Sequence, residues 1–194
     1  VAMETSSHAL DQDRVAGLRF RAAVFTNLTR DHLDYHGDEA TYRAAKLKLQ
    51  AYLAPDGVAV SNAADQAWLG LTPRPGNLTF GVEVDADVTA RGVAGDATGM
   101  RFTLGFRRAA CQVALPLLGR FNVENALGAA AVALALGREP AHVAEQLCAA
   151  PQVPGRMERL TDTPCVVLRD YAHTPDALER ALAALRPLTH GRLI

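Results

Sequence analysis

The chain has 194 residues, with 20 Lys and Arg against 21 Asp and Glu, a formal charge of −1, 49% hydrophobic and 21% charged residues. That is a globular make-up, long enough for one domain with a core and part of a second; it excludes a strongly basic nucleic-acid surface, a disordered or collagen-like chain and, with no run of about eighteen apolar residues, a membrane span. The three cysteines, Cys111, Cys148 and Cys165, form no CxxC pair, so no disulfide framework or zinc knuckle is implied and a reduced cytosolic protein is expected.

Val1-Ala-Met3 reads as the end of a strand, and Ser6 to Arg14 as a short helix behind a Ser cap. Ala22-Ala-Val-Phe25 is a buried strand ending in polar Thr26-Asn27. A long helix starts at Asp38, whose carboxylate caps it, and stops before Pro55. Val58-Ala-Val60 is the next strand. Strands joined by helices predict a mostly parallel α/β sheet with ligand sites at the carboxyl ends of its strands, where the polar clusters Glu4 to Ser7 and Thr26 to His36 fall.

From Leu78 to Pro116 the pattern changes to β segments (Leu78-Thr-Phe80, Asp87 to Val93, Met100 to Phe106, Cys111 to Leu115) broken by Gly and Asp turns, an expected antiparallel ribbon attached to the main sheet. Two Ala/Leu-rich helices follow, 120–136 and 140–149, the first stopped by Gly137. Pro151-Gln-Val-Pro154-Gly155 is the best linker candidate. Beyond it Cys165 to Leu168 reads as a strand, Thr174-Pro175 as a cap and first-turn proline, and Gly191 to Ile194 as a strand beginning. The expected division is a central domain at 1–150, a linker at 151–156 and the first βα unit of a further domain at 157–194. Both ends read as cuts in a longer chain.

On a helical wheel with Tyr42 at zero, Lys46 falls about 40° away, inside the apolar stripe formed with Leu49 and Leu53, while Lys48 points about 120° off into solvent. An ammonium on a buried face either snorkels to the rim or has a partner. His32 and His36 in D-H-L-D-Y-H share a spacing that some zinc sites use, but the zincin Glu is missing and a capped surface helix is the better account of the string taken alone. Glu4 and the hydroxyls of Thr5, Ser6 and Ser7 could serve a hard cation or cap a helix. Asn122 and Asn125, three apart on a helix, could read a base edge or bond neighbouring loops. Arg156 and Asp170 are each ordinary alone.

Taken together, six strings in order resemble the Mur ligases, the ATP-dependent amide-forming enzymes of peptidoglycan synthesis. They are Glu4-Thr-Ser-Ser-His-Ala-Leu-Asp-Gln-Asp-Arg-Val, Phe25-Thr-Asn-Leu-Thr-Arg-Asp-His-Leu-Asp-Tyr-His-Gly37, Tyr42-Arg-Ala-Ala-Lys46, Gly119-Arg-Phe-Asn-Val-Glu-Asn125, Val153-Pro-Gly-Arg-Met-Glu158 and Asp170-Tyr-Ala-His-Thr-Pro-Asp-Ala-Leu178. Within the family they lie nearest the branch that adds the third residue of the stem peptide. The resemblance implies a carbamylated lysine at Lys46, and metal ligands at Glu4, His32 and Lys46. It implies contacts to the UDP-muramoyl peptide from Ser6, Gln12 and Arg14, adenine at Asn122, an ATP phosphate at Arg156 and the ribose at Asp170. It assigns nothing firm to His36 or His173. ATP and Mg²⁺ are the implied cofactors, and a UDP-muramoyl dipeptide and a diamino acid the implied partners. A monomer is expected, with neither nucleic acid nor membrane as partner. The family's G-x-x-G-K-[ST] phosphate loop matches no string here, so that loop, the nucleotide-gripping domain and most of the third domain are expected outside these 194 residues, and the fragment alone is expected to be inactive.

Three alternatives compete with this reading. A sister ligase of folate polyglutamate or cyanophycin type shares the ATPase core, but Ser6-Ser-His-Ala-Leu-Asp-Gln12-x-Arg14 favours the muramoyl branch. A metal-dependent hydrolase built on His32 and His36 would carry bound zinc, and a non-catalytic nucleotide module would bind ATP without turnover.

Overall fold

The structure is a computed structural model and describes residues 1–29, 31–189 and 191–194. Its centre is a six-stranded sheet in the order β1-β2-β3-β4-β5-β6: β1 (Phe20–Phe25), β2 (Leu53–Asn62), β3 (Leu78–Val82), β4 (Val88–Asp96), β5 (Gly99–Phe106) and β6 (Ala109–Leu115). The first four strands run parallel and the last two pairings are antiparallel, so the sheet is mixed, with helices on both faces.

The alternation along β1 and β2 sorts side chains to two faces. Ala23, Phe25 and Ala59 join Trp68 and Leu53 in one cluster, under the segment that follows the helix of Lys46. Val60 turns the other way and joins Phe80, Val88, Phe102, Leu104 and Leu115 beneath α4 (Arg120–Ala135) and α5 (Pro140–Cys148). α4 is apolar nearly all round because it lies on the sheet with one side and meets α5 with another.

β3 corrects the expected ribbon. It pairs in parallel with both β2 and β4, and only β4–β5–β6 is antiparallel. Parallel neighbours usually need a long crossover, yet Glu83 to Asp87 suffices here. The register Phe80↔Val88 sends the chain back only two residues, well within the reach of the connection. Glu83 turns it in the left-handed region (φ 59) and the Asp87 carboxylate accepts from both the Thr79 amide and hydroxyl at 2.8 Å. Val84 folds over Gly81, where a β-carbon would stand 2.3 Å from its Cγ2. The periodicity of residues 78–106 is the same for parallel and antiparallel strands, which is why the sequence did not separate them.

The helix expected from Asp38 is α3 (Glu39–Leu47), capped by Asp38 Oδ1, which accepts from the Thr41 amide at 2.7 Å. It tightens to a 3-10 turn at Lys48–Tyr52, and Leu53 is already the start of β2, because Pro55 bars a helix just ahead of it. Val1–Met3 and Gly191–Ile194, read as strand ends, form no strand among the described residues, since no neighbouring strand lies alongside to bond them. Beyond the linker stands a two-stranded antiparallel sheet, β7 (Glu158–Thr161) with β8 (Val167–Arg169), and then α6 (Pro175–Leu185) behind its Thr174 cap. β7 was not anticipated: four residues carrying two charges give no hydrophobic alternation. The three cysteines are free. No described helix is long and apolar enough to cross a membrane.

Candidate functional site

The site residues gather at the carboxyl edge of the parallel strands. After β1 the chain enters a polar loop fixed from below by Asp65, whose carboxylate accepts the Leu28 amide at 2.6 Å and the Ala67 amide at 2.9 Å. The loop leads through His32 into α2 (Leu33–His36), a single turn that ends at Gly37 with φ 80. Arg30 of this string lies outside the described residues. α1 (Ser7–Asp11) packs on α3 with Ser6 as its cap, Oγ accepting the Ala9 amide at 3.1 Å. α4 reaches the same edge: the Arg120 guanidinium donates to the Val82 carbonyl at the end of β3, at 3.1 Å. The ends of β1 and β3 are two strand spacings apart, roughly 10 Å.

Lys46 occupies the first corner. Its side chain is half-buried, with Nζ 5.9 Å from the centre of the Tyr42 ring. Burial pushes its pKa below the ordinary lysine value against the opposing pull of the Glu4 and Asp31 carboxylates. His32 also neighbours Tyr42, its ring 6.2 Å from the phenol ring and Nε2 3.4 Å from Asp31 Oδ2. The wheel therefore placed both lysines well, for Lys48 is exposed and pairs with Asp11 at 2.6 Å. Of the three expected metal ligands, Lys46 and His32 share the Tyr42 ring and Glu4 acts on Lys46 through its charge. Among the described residues no three His, Cys, Asp or Glu side chains converge as a metal-binding group. A cation here would need an oxygen donor from Lys46 itself. The donor set fits such an ion: a carbamate beside Glu4 and Asp31 would add a third anion to the corner, which a hard divalent cation offsets.

The substrate residues expected next to this corner line α1. Ser6 is its cap, Gln12 ends it with Nε2 donating to the Tyr35 hydroxyl at 3.2 Å, and Arg14 is exposed just beyond. Sequence reasoning gave no role to His8, which proves central: its ring lies 4.8 Å from His32, 4.2 Å from Tyr35 and 5.6 Å from His36. It also misjudged His36, expected on a surface helix, which is buried against Tyr42. No local signal marked His8, because its partners lie on α2 and the loop before it, more than twenty residues on.

The second corner is a cleft of about 500 Å³ between α4, α5 and the linker, with Leu115, Leu117, Phe121 and Leu147 as its apolar walls and Asn122, Asn125 and Arg156 as its polar groups. Asn122 is buried and donates from Nδ2 to the Leu118 carbonyl at 2.8 Å, while its Oδ1 accepts from Asn125 Nδ2 at 3.4 Å, which together fix its amide. Asp170 is not in the cleft wall. Its carboxylate accepts the amides of Met157 and Ala172, both at 2.8 Å, and so stands one residue from Arg156 at the rim. His173 bonds the Tyr171 carbonyl at 2.9 Å, apart from both corners.

An apolar slot with a fixed amide, a cationic rim and a half-buried lysine beside carboxylates thus lie along one sheet edge. A family model described as the Mur ligase middle domain matches residues 1–133, and one described as the Mur ligase, glutamate ligase domain matches residues 155–194. The chain belongs to the Mur ligase family. A Mur ligase of Xanthomonas campestris pv. campestris (strain 8004), UDP-N-acetylmuramoyl-L-alanyl-D-glutamate--2,6-diaminopimelate ligase, is 50% identical over 203 residues, covering 100% of this chain and 41% of that protein. A solved structure of the same name shares 34% identity at a TM-score of 0.78, covering 94% of this chain and 39% of that one. A MurF ligase of Thermotoga maritima in complex with ADP, 18% identical, shares the fold at a TM-score of 0.75 over 93% of this chain and 42% of its own. The chain spans about 40% of the length of the curated Mur ligases it matches.

Proposed function

We propose that the chain is the larger part of the central ATPase domain, 1–150, with a linker at 151–156 and the start of a third domain at 157–194, of a ligase that joins a diamino acid to UDP-N-acetylmuramoyl-L-alanyl-D-glutamate. The acceptor it takes is 2,6-diaminopimelate, after the name borne by the 50% identical relative. ATP phosphorylates the D-glutamate side-chain carboxylate, and the acyl phosphate is then attacked by the incoming amine. Phosphate departs with its bonding pair and the nitrogen loses a proton.

The observation that carries this reading is Lys46. An amine whose burial favours its neutral form can add to CO₂ and release a proton, giving a carbamate anion. That group, Glu4 and His32 would hold Mg²⁺, which supplies positive charge against the anion that builds on the γ-phosphate oxygens. Asn122 orients the adenine edge, accepting at Oδ1 and donating from Nδ2, while Leu117, Phe121 and Leu147 exclude water from the base. Arg156, exposed at the rim, offers a cation to the phosphates, and Asp170 faces the ribose hydroxyls. Ser6, Gln12 and Arg14 bind the muramoyl peptide beside the Lys46 corner, which brings its carboxylate to the γ-phosphate. Because Asn122 and Asp170 stand on opposite sides of the linker, closure of the two parts completes the site.

The test is phosphate release by the full-length protein. It should require the muramoyl dipeptide nucleotide, ATP and 2,6-diaminopimelate together, and lysine or ornithine should give less than a tenth of the rate. Release without the nucleotide substrate, or with folate in its place, would point to a sister ligase instead.

A further inference from the structure

The proposed mechanism leaves one buried polar pair unused. Ser7 is completely buried and His36 is 7% exposed, and Ser7 Oγ lies 2.9 Å from His36 Nε2. The two are 29 residues apart and join the start of α1 to the end of α2. The His36 ring is packed between Tyr42 (5.4 Å), Tyr35 (4.7 Å) and His8 (5.6 Å).

α2 cannot hold its own shape. It is a single four-residue turn, too short to gain from helical cooperativity. Its entry at His32 is left-handed, φ 54, a conformation that residues other than glycine rarely adopt. No side chain caps it. Its backbone bonds run from the amides of Tyr35 and His36 to the His32 carbonyl, at 3.2 and 3.0 Å, and from the Gly37 amide to the Leu33 carbonyl at 2.9 Å. Whatever fixes His36 therefore fixes the carbonyl, and with it the backbone, of His32. The Ser7 hydroxyl meets His36 where water does not compete, so losing it would strand a ring nitrogen in the core. Through Tyr42 the same ring bears on the helix turn that carries Lys46.

We propose that the Ser7–His36 hydrogen bond is a positioning device that holds α2 so that His32 faces the Lys46 corner. The proposal rests on the functional reading above. His36 touches no reacting atom in it and is a positioning residue, not a ligand. It also ties the segment bearing Glu4 and Ser6, just ahead of α1, to the loop bearing His32, so the two halves of the corner keep their spacing as substrates enter.

The experiment uses the full-length protein with Ser7→Ala, His36→Leu, the double variant and His36→Gln, whose amide nitrogen can take the place of Nε2. Manganese affinity is read by electron paramagnetic resonance, together with kcat, the KM values for ATP and the muramoyl nucleotide, and the melting temperature. Ser7→Ala should weaken Mn²⁺ binding about 5- to 20-fold and lower kcat by a similar factor, while both KM values change less than about threefold. The double variant should be no worse than His36→Leu, and His36→Gln should regain most of the loss. Should Ser7→Ala fail to fold, Ser7→Cys, which keeps a weak partner in nearly the same volume, should show an intermediate Mn²⁺ affinity. A lowered melting temperature with unchanged Mn²⁺ affinity and kcat in the folded variants would make the pair structural only and overturn the proposal. A wild-type protein that binds Mn²⁺ yet releases no substrate-dependent phosphate would overturn the ligase reading instead, leaving the pair to be judged on metal affinity.

Discussion

Replacing Asn122 by alanine in the full-length enzyme should separate two jobs of one side chain. The first is structural: Nδ2 donates to the Leu118 carbonyl at 2.8 Å in a buried position. Removing it costs about 1–1.5 kcal/mol, which for a full-length protein of about two and a half times this length lowers the melting temperature by roughly 1–3 °C. The second job follows from what that bond leaves unused. Oδ1 has only a long contact, 3.4 Å from Asn125 Nδ2, so in the proposed role the amide would accept from the adenine amino group and donate to a ring nitrogen. Two such bonds are worth about 1–2 kcal/mol, and Asn122→Ala should therefore raise the KM for ATP about 5- to 30-fold. The decisive assay compares ATP with inosine triphosphate, in which a carbonyl replaces the amino group. The wild type should prefer ATP in kcat/KM by about tenfold or more, and Asn122→Ala should bring the two within about threefold of each other. If the variant keeps the wild-type preference while its KM rises, Asn122 only shapes the cleft and the base is read elsewhere.

Other outcomes follow from particular contacts. Lys46→Ala should leave the melting temperature within about 3 °C, abolish turnover and remove the carbamate resonance that ¹³CO₂ produces in the wild type by carbon NMR; a resonance that survives belongs to another lysine. Gly81→Ala puts a β-carbon 2.3 Å from Val84 Cγ2 and should cost about 1–3 kcal/mol, read as an earlier thermal melt, with Val84→Ala in the same chain restoring most of it; no restoration would mean the strain lies in the backbone. Glu158 accepts the Gly155 amide at 2.7 Å and two Arg169 guanidinium donors at 2.6 and 2.9 Å, which hold its pKa below the ordinary 4.5. A lowered carboxylate pKa stabilises the fold above 4.5 and loses that contribution as pH falls through the folded value. The gap in urea midpoint between wild type and Glu158→Gln should accordingly be full at pH 7 and close below pH 4.5, and a gap independent of pH would contradict the ion pair.

Much of this arrangement is legible in the sequence wherever a local rule decides. Ser6, Asp38 and Thr174 cap helices because their oxygens reach the amide two or three residues on, and each does so in the structure. Lys46 shows itself as a cation in an apolar stripe, which helical phase alone exposes. What stays hidden depends on contacts across the chain. The direction of β3 is set by its neighbours and not by its own alternation. β7 forms by pairing with β8, where Glu158 and Arg169 meet across the hairpin, and nothing in Glu158–Thr161 alone announces a strand. The burial of His36 is of the same kind, since its partner Ser7 lies on an element 29 residues earlier. Site residues on one string could be proposed together, but that Asn122 and Arg156 line one cleft needs the fold of α4 against the linker.

The central claim is that a substrate carboxylate is activated as an acyl phosphate. It is tested most directly by labelling both oxygens of the D-glutamate side-chain carboxylate of the muramoyl dipeptide nucleotide with ¹⁸O and running the full-length enzyme with ATP, Mg²⁺ and 2,6-diaminopimelate. The account predicts that each inorganic phosphate released carries one ¹⁸O, and that the amide formed keeps the other. Unlabelled phosphate alongside a fully formed amide would mean that ATP is cleaved by water while the bond is made another way, and would contradict it.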